Sequence, residues 1–71
     1  MKNKYQLYDL PLTLTSKIVK YIIRNNIVCG KWEFYYTYEL SEIYYKIDLH
    51  CTEEDIIMLL LTIPNIKYKI K

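Results

Sequence analysis

The run Thr52-Glu53-Glu54-Asp55-Ile56-Ile57-Met58-Leu59-Leu60-Leu61-Thr62-Ile63 constrains this 71-residue chain more than any other stretch. It opens with three carboxylates and continues with apolar residues around the whole circumference of a helix, so it predicts a helix that buries more than one flank. Thr52 is its cap, and Asp55 three positions on completes a capping box one methylene shorter than the usual Glu. Pro64-Asn65 ends it. Ile56, Leu59, Leu60 and Ile63 form one stripe, which leaves Ile57, Met58 and Leu61 on the neighbouring flank. Burying each such side chain is worth about 1.5 to 3 kcal/mol, so three left in water lower stability and invite association. The candidates to cover them are the N-terminal segment, a second copy of the chain or another protein.

A chain of this length makes one domain, and so small a domain buries only about 60% of its unfolded surface. Packing material is plentiful, with 52% apolar residues, nine tyrosines, Trp32 and Phe34, and a single glycine. Alanine is absent while Ile, Lys, Tyr and Asn abound, the bias of an AT-rich coding sequence such as those of viruses, mobile elements and low-GC microbes. No apolar run approaches the roughly 18 residues that span a bilayer, and Gln6 and Asp9 interrupt the start where a signal peptide needs an apolar core. The expectation is an intracellular, cytoplasmic protein. Cys29 and Cys51 form no short-spaced pair, so free thiols are expected.

The net charge of +2 conceals an uneven distribution. Residues 1–32 set Lys2, Lys4, Lys17, Lys20, Arg24 and Lys31 against Asp9. Residues 33–65 set Lys46 against Glu33, Glu39, Glu42, Asp48, Glu53, Glu54 and Asp55, and the tail adds Lys67, Lys69 and Lys71. The plainest account is solvated faces of opposite sign that attract within one small fold.

Along the chain, residues 1–14 lack a clear period, and Pro11 favours an extended Leu10. Their apolar content predicts an arm packed on a domain of residues 15–71. A helix is predicted from Thr15 or Ser16 to about Asn25, with Ile18, Val19, Ile22 and Ile23 buried and Lys17, Lys20 and Arg24 on the opposite face. Cys29-Gly30 reads as a turn, Gly30 supplying a positive φ. Trp32 to Tyr36 reads as a strand with Trp32, Phe34 and Tyr36 on one side and Glu33 and Tyr35 on the other. Its natural mate is Ile66 to Ile70, which alternates at the same period and brings Lys67 or Lys69 near Glu33. Between them Leu40, Ile43, Tyr44 and Ile47 satisfy helical spacing from about Thr37, Glu39 and Glu42 favouring its start, and Asp48 to Cys51 forms the turn into the third helix.

The order helix, strand, helix, turn, helix, strand resembles the winged helix-turn-helix superfamily over residues 15–71, in element order and hydrophobic period. The resemblance implies a mostly helical α+β fold, a winged-helix-like three-helix core with a small two-stranded antiparallel sheet, 32–36 with 66–70. It also implies that Thr52 to Ile63 is the groove-reading helix and that Ile66 to Lys71 begins the wing. Two features depart from a DNA reader. Glu53, Glu54 and Asp55 repel phosphate at the reading end, where neither Lys nor Arg is present, and no return strand completes the wing.

The sequence therefore points to a non-enzymatic module that binds protein and regulates or inhibits a larger machine. Its expected contact residues are Ile57, Met58 and Leu61 with Glu53 and Glu54, joined by Tyr35 and Tyr45, tyrosine being favoured at interface hot spots. The partner is another protein or a second copy. The alternative is a dimeric DNA-binding regulator that contacts phosphates through Lys17, Lys20, Arg24, Lys67, Lys69 and Lys71. Aromatic residues interleaved with Lys67 and Lys69 also suit single-stranded nucleic acid. Chemistry has few candidates: His50 beside Cys51 and near Asp48 lacks the paired spacing of a zinc site, no third group orients a Cys-His pair, and a lone glycine makes no phosphate loop. No cofactor, metal or small-molecule substrate is expected.

Overall fold

A computed structural model describes residues 2–71 and orders them as β1 (Lys2–Pro11), α1 (Leu12–Arg24), β2 (Val28–Thr37), β3 (Glu42–Thr52), α2 (Glu53–Thr62) and β4 (Lys67–Ile70). The strands form one antiparallel sheet in the order β2-β3-β1-β4, with both helices on one face. Two split βαβ units interleave, each helix joining strands separated by a strand of the other unit. This is the ferredoxin-like arrangement.

It replaces the expected winged-helix-like fold, and three differences account for the change. Residues 2–11 are no arm: they form β1, an interior strand paired with β3 on one side and β4 on the other. The predicted middle helix is absent, because Ile43, Tyr45, Ile47, Leu49 and Cys51 alternate with Tyr44, Lys46, Asp48 and His50. That period of two runs the length of β3 and outlasts the three-and-four spacing beginning at Leu40. The residues read as a turn, Asp48 to Cys51, are the end of that strand. The strand at Trp32–Tyr36 exists within β2, but its mate is β3, with Trp32 opposite Ile47 and Phe34 opposite Tyr45. β4 lies at the far edge, so Glu33 pairs with Lys31 at 2.7 Å and not with the tail lysines.

Local chemistry explains the boundaries. α1 begins directly after Pro11, whose fixed φ of −67° and missing N–H suit a helix entrance, and no side chain caps it. Thr15, the expected cap, lies buried in the first turn, its Oγ1 donating to the Leu10 carbonyl at 3.4 Å. α1 ends in a left-handed Asn26 with φ 53°, and the Ile27 amide donates back to the Ile22 carbonyl at 3.1 Å, closing the helix and delivering Ile27 to the core. Gly30 has no positive φ; it sits in the strand, where β2 carries one extra residue between Cys29 and Trp32. α2 has the predicted capping box: the Asp55 amide donates to Thr52 Oγ1 at 3.1 Å, and the Thr52 amide donates to Asp55 Oδ2 at 3.4 Å.

The core lies between sheet and helices. β1 supplies Tyr5, Leu7 and Leu10, β3 supplies Ile47, Leu49 and Cys51, and the helical layer supplies Ile18, Ile22, Ile56, Leu59 and Ile63. α2 buries the stripe its spacing predicts and leaves Ile57, Met58 and Leu61 in water, Leu61 at 75% exposure. No helix of the described residues is long and apolar enough to cross a membrane.

Candidate functional site

Strand alternation gives the sheet two unlike faces. The helix-side residues of β2 and of the hairpin end of β3 are Trp32, Phe34, Tyr36 and Ile43, and the two helices do not reach far enough to cover them. Trp32 is 55% exposed and Phe34 72%. Trp32, Tyr36 and Ile43, with Leu12 at the start of α1, line a shallow apolar groove between α1 and the hairpin, floored by Tyr45, and Phe34 stands beside it against Tyr45. Trp32 stacks on Tyr45 with ring centroids 5.9 Å apart, which holds the indole flat along the groove. β2 is also an edge strand, so one side of its backbone has no partner in the sheet.

The opposite, open face is polar and cationic. It carries Lys2, Lys4, Lys31, Lys46, Lys67, Lys69 and Lys71, seven of the chain's ten cations, against Asp9, Glu33, Glu42 and Asp48. Tyr8, Tyr35 and Tyr44 lie among them. Tyr35 and Tyr44 are cross-strand neighbours with ring centroids 6.2 Å apart and planes 29° apart. The Lys46 ammonium lies 5.2 Å from the Tyr35 ring centre and the Lys69 ammonium 5.9 Å from that of Tyr8.

Asp9 is the pivot of this face. An extra residue in β1 between Leu7 and Leu10 gives Asp9 a left-handed φ of 51°, which turns its carboxylate toward β2 to accept the Tyr35 hydroxyl. Partial burial and that hydrogen bond push the Tyr35 pKa up to about 12. At the other end of the sheet, Asp48 accepts Gln6 Nε2 at 3.2 Å and Lys71 Nζ at 2.9 Å. Burial alone would raise the Asp48 pKa, yet these donors overcome it and hold the carboxyl below its ordinary range.

The structure distributes the sequence-predicted residues over three surfaces. Ile57, Met58 and Leu61 share α2 with Glu53 and Glu54, as expected, but Tyr35 belongs to the open face and Tyr45 to the groove on the helix side. Lys17, Lys20 and Arg24 ride on α1, whereas Lys67, Lys69 and Lys71 extend from the sheet's other side, so the two halves of the proposed phosphate-contacting set face opposite directions. His50 and Cys51, adjacent in β3, point to opposite faces. Burial and then Asp55 raise the Cys51 thiol pKa, and burial and then Asp48 raise that of Cys29, so both favour the protonated thiol. No group of three metal-capable side chains comes together among the described residues. Sequence reasoning put Trp32, Phe34 and Tyr36 on one strand face without making them a site, and missed Leu12, Ile43 and the open-face Tyr8, because their grouping depends on strand pairings across residues 2–52.

No known family and no curated protein matches the sequence. Among solved structures the chain is similar to prephenate dehydratase from Streptococcus mutans, with a TM-score of 0.60 and 24% identity over 97% of this chain and 40% of that one. Likeness at that identity establishes the fold, a two-layer α+β unit, and the chain spans well under half of the enzyme's length.

Proposed function

We propose that the chain is a non-catalytic protein-binding module that self-associates along β2 and acts as a regulator through the surfaces it then presents. The observation that carries this reading is the uncovered Trp32-Phe34-Tyr36 strip on β2, whose outer backbone edge is free, with Ile43 of β3 exposed beside it. An exposed apolar edge strand is a template for another strand, and a second copy fits it by symmetry.

The register follows from the residues. The irregularity between Cys29 and Trp32 confines regular pairing to Trp32–Thr37. A two-fold axis at Glu33 sets two carboxylates face to face, which like-charge repulsion disfavours. An axis at Phe34 sets Phe34 against its own copy and Trp32 against the second copy's Tyr36, joining aromatic to aromatic on the helix side. α2 with Ile57, Met58 and Leu61 is on a separate surface, available to a different protein.

In a Cys29→Ser background, Phe34→Cys is expected to form a disulfide-linked dimer under mild oxidation, because directly opposed strand residues lie about 4.5 to 5.5 Å apart at Cα, within disulfide reach. Light scattering on the native chain is expected to give twice the monomer mass, and Phe34→Lys to return it to monomer with helix and strand content intact. A native chain that stays monomeric at millimolar concentration refutes the reading.

A further inference from the structure

That assembly pairs β2 edge to edge and sets Tyr35 beside the second copy's Glu33, but it leaves the rest of the open face uncovered, and the chemistry there differs from the groove's. We propose that it binds single-stranded nucleic acid, bases stacking on Tyr8 and on the Tyr35-Tyr44 pair while the surrounding lysines neutralise phosphates.

Three observations support this. First, the topology concentrates cations here: most of the chain's lysines extend from this face, while the acidic turn of α2 lies on the other layer. Lys4, Lys46 and Lys69 have no carboxylate within ion-pair distance among the described residues. Second, Tyr35 and Tyr44 stack across β2 and β3, and Tyr8 lies on the same face of the neighbouring β1, so three aromatic rings are spread over three adjacent strands of one face. An extended strand of bases crossing a four-stranded sheet meets aromatics in this way, and stacking tolerates any base because each has a π-face. Third, the rings are held in reserve: Lys46 lies over Tyr35 and Lys69 over Tyr8. A cation over a half-exposed ring is the weaker arrangement of the two, so an arriving base displaces the ammonium, which swings out toward the phosphate beside it. One side chain then serves the ring before binding and the backbone afterwards.

The geometry selects single strands. A duplex hides its base faces in its own stack, and a flat sheet offers no helix to enter a major groove. Asp9 opposes binding, since its carboxylate lies beside Tyr35 and 3.9 Å from Lys67. Removing that charge is therefore expected to strengthen the interaction, which an incidental polyanion site away from Asp9 would not show.

Fluorescence anisotropy of labelled 12-mers of oligo(rU), oligo(dT) and a matching duplex tests the proposal on the full chain. Saturable binding of either single strand, with weaker binding of the duplex, supports it, and the ratio of the two assigns the sugar. Tyr8→Leu and Tyr44→Leu are each expected to weaken binding by about five-fold or more, and Lys69→Gln to reduce the slope of log affinity against log salt by about 0.7. Asp9→Asn is expected to tighten it, and Lys17→Gln with Lys20→Gln to leave it unchanged. Should a tyrosine variant lose its fold, amide shift mapping on the native chain decides: perturbations at Gln6, Tyr8, Tyr44 and Lys46 support the proposal, and perturbations confined to α1 overturn it. Absence of saturable binding at low salt overturns it too, as does equal affinity for polyglutamate, which has charge but no bases.

Discussion

Asp48 shows how single side chains tune this fold. Its carboxyl is held below the ordinary aspartate range by Lys71 and Gln6 despite partial burial. A carboxylate more acidic in the folded chain than in the unfolded one stabilises the fold above the unfolded pKa of about 3.9, and that contribution fades as pH falls through the lower folded value. Thermal melts of the native chain are therefore expected to lose stability below about pH 4, and Asp48→Asn to flatten part of that acid limb while lowering Tm near neutrality. Tyr35 works in the opposite direction. With its pKa raised to about 12, it keeps its proton while unfolded tyrosine ionises, so stability declines as pH climbs past about 10. Absorbance titration of the native chain is expected to show a late tyrosinate step that Asp9→Asn shifts to lower pH.

Among the elements, α2 was the most legible, whereas α1 starts at Leu12, ahead of the expected caps Thr15 and Ser16, and leaves Ile23 in water where its spacing suggested burial. α2 declared itself through Thr52 and Asp55 and a continuous apolar run, and its buried and exposed flanks fall where helical spacing puts them. Thr52→Ala is expected to cost about 1 kcal/mol in denaturant unfolding, the usual worth of such a cap. Leu59→Ala, which empties a fully buried site, is expected to cost about 2 to 5 kcal/mol. The strands were harder to read for reasons visible in particular residues. In β1 the extra residue at Tyr8-Asp9 breaks the alternation, so Leu10 returns to the core out of phase with Tyr5 and Leu7. The turn between β2 and β3 is Tyr38-Glu39-Leu40-Ser41, which contains no Gly, Pro, Asn or Asp to announce a hairpin, although Ser41 adopts φ 51°. Without that signal Leu40 joined Ile43, Tyr44 and Ile47 in a helical pattern that β3 overrides. The candidate surfaces inherit the same limit. The α2 flank is local and could be read directly, whereas the open-face platform exists only once β1, β2 and β3 are placed side by side.

The whole molecule is a thin two-layer body of 38 × 22 × 17 Å, with the hairpin extending past its helices. Thinness has a cost: a domain this small with so much aromatic surface uncovered gains stability from any partner that binds only the folded state. Dilution is therefore expected to lower the Tm of the native chain, and Phe34→Lys to remove that concentration dependence. The two proposed surfaces respond differently to salt. Docking on the aromatic strip buries apolar area and is expected to vary little, while binding on the lysine face is expected to weaken steeply as counterions compete. Measuring both in one salt series separates them without any substitution.

The only tryptophan lies in the groove, stacked on Tyr45, while Tyr8, Tyr35 and Tyr44 occupy the other side of the sheet. The protein thus carries a built-in optical label on its helix side. Indole emission moves to shorter wavelength when the hairpin is dried by a docking chain, while bases settling on the open face leave the indole in water, so the tryptophan signal tells the two events apart in an unmodified sample.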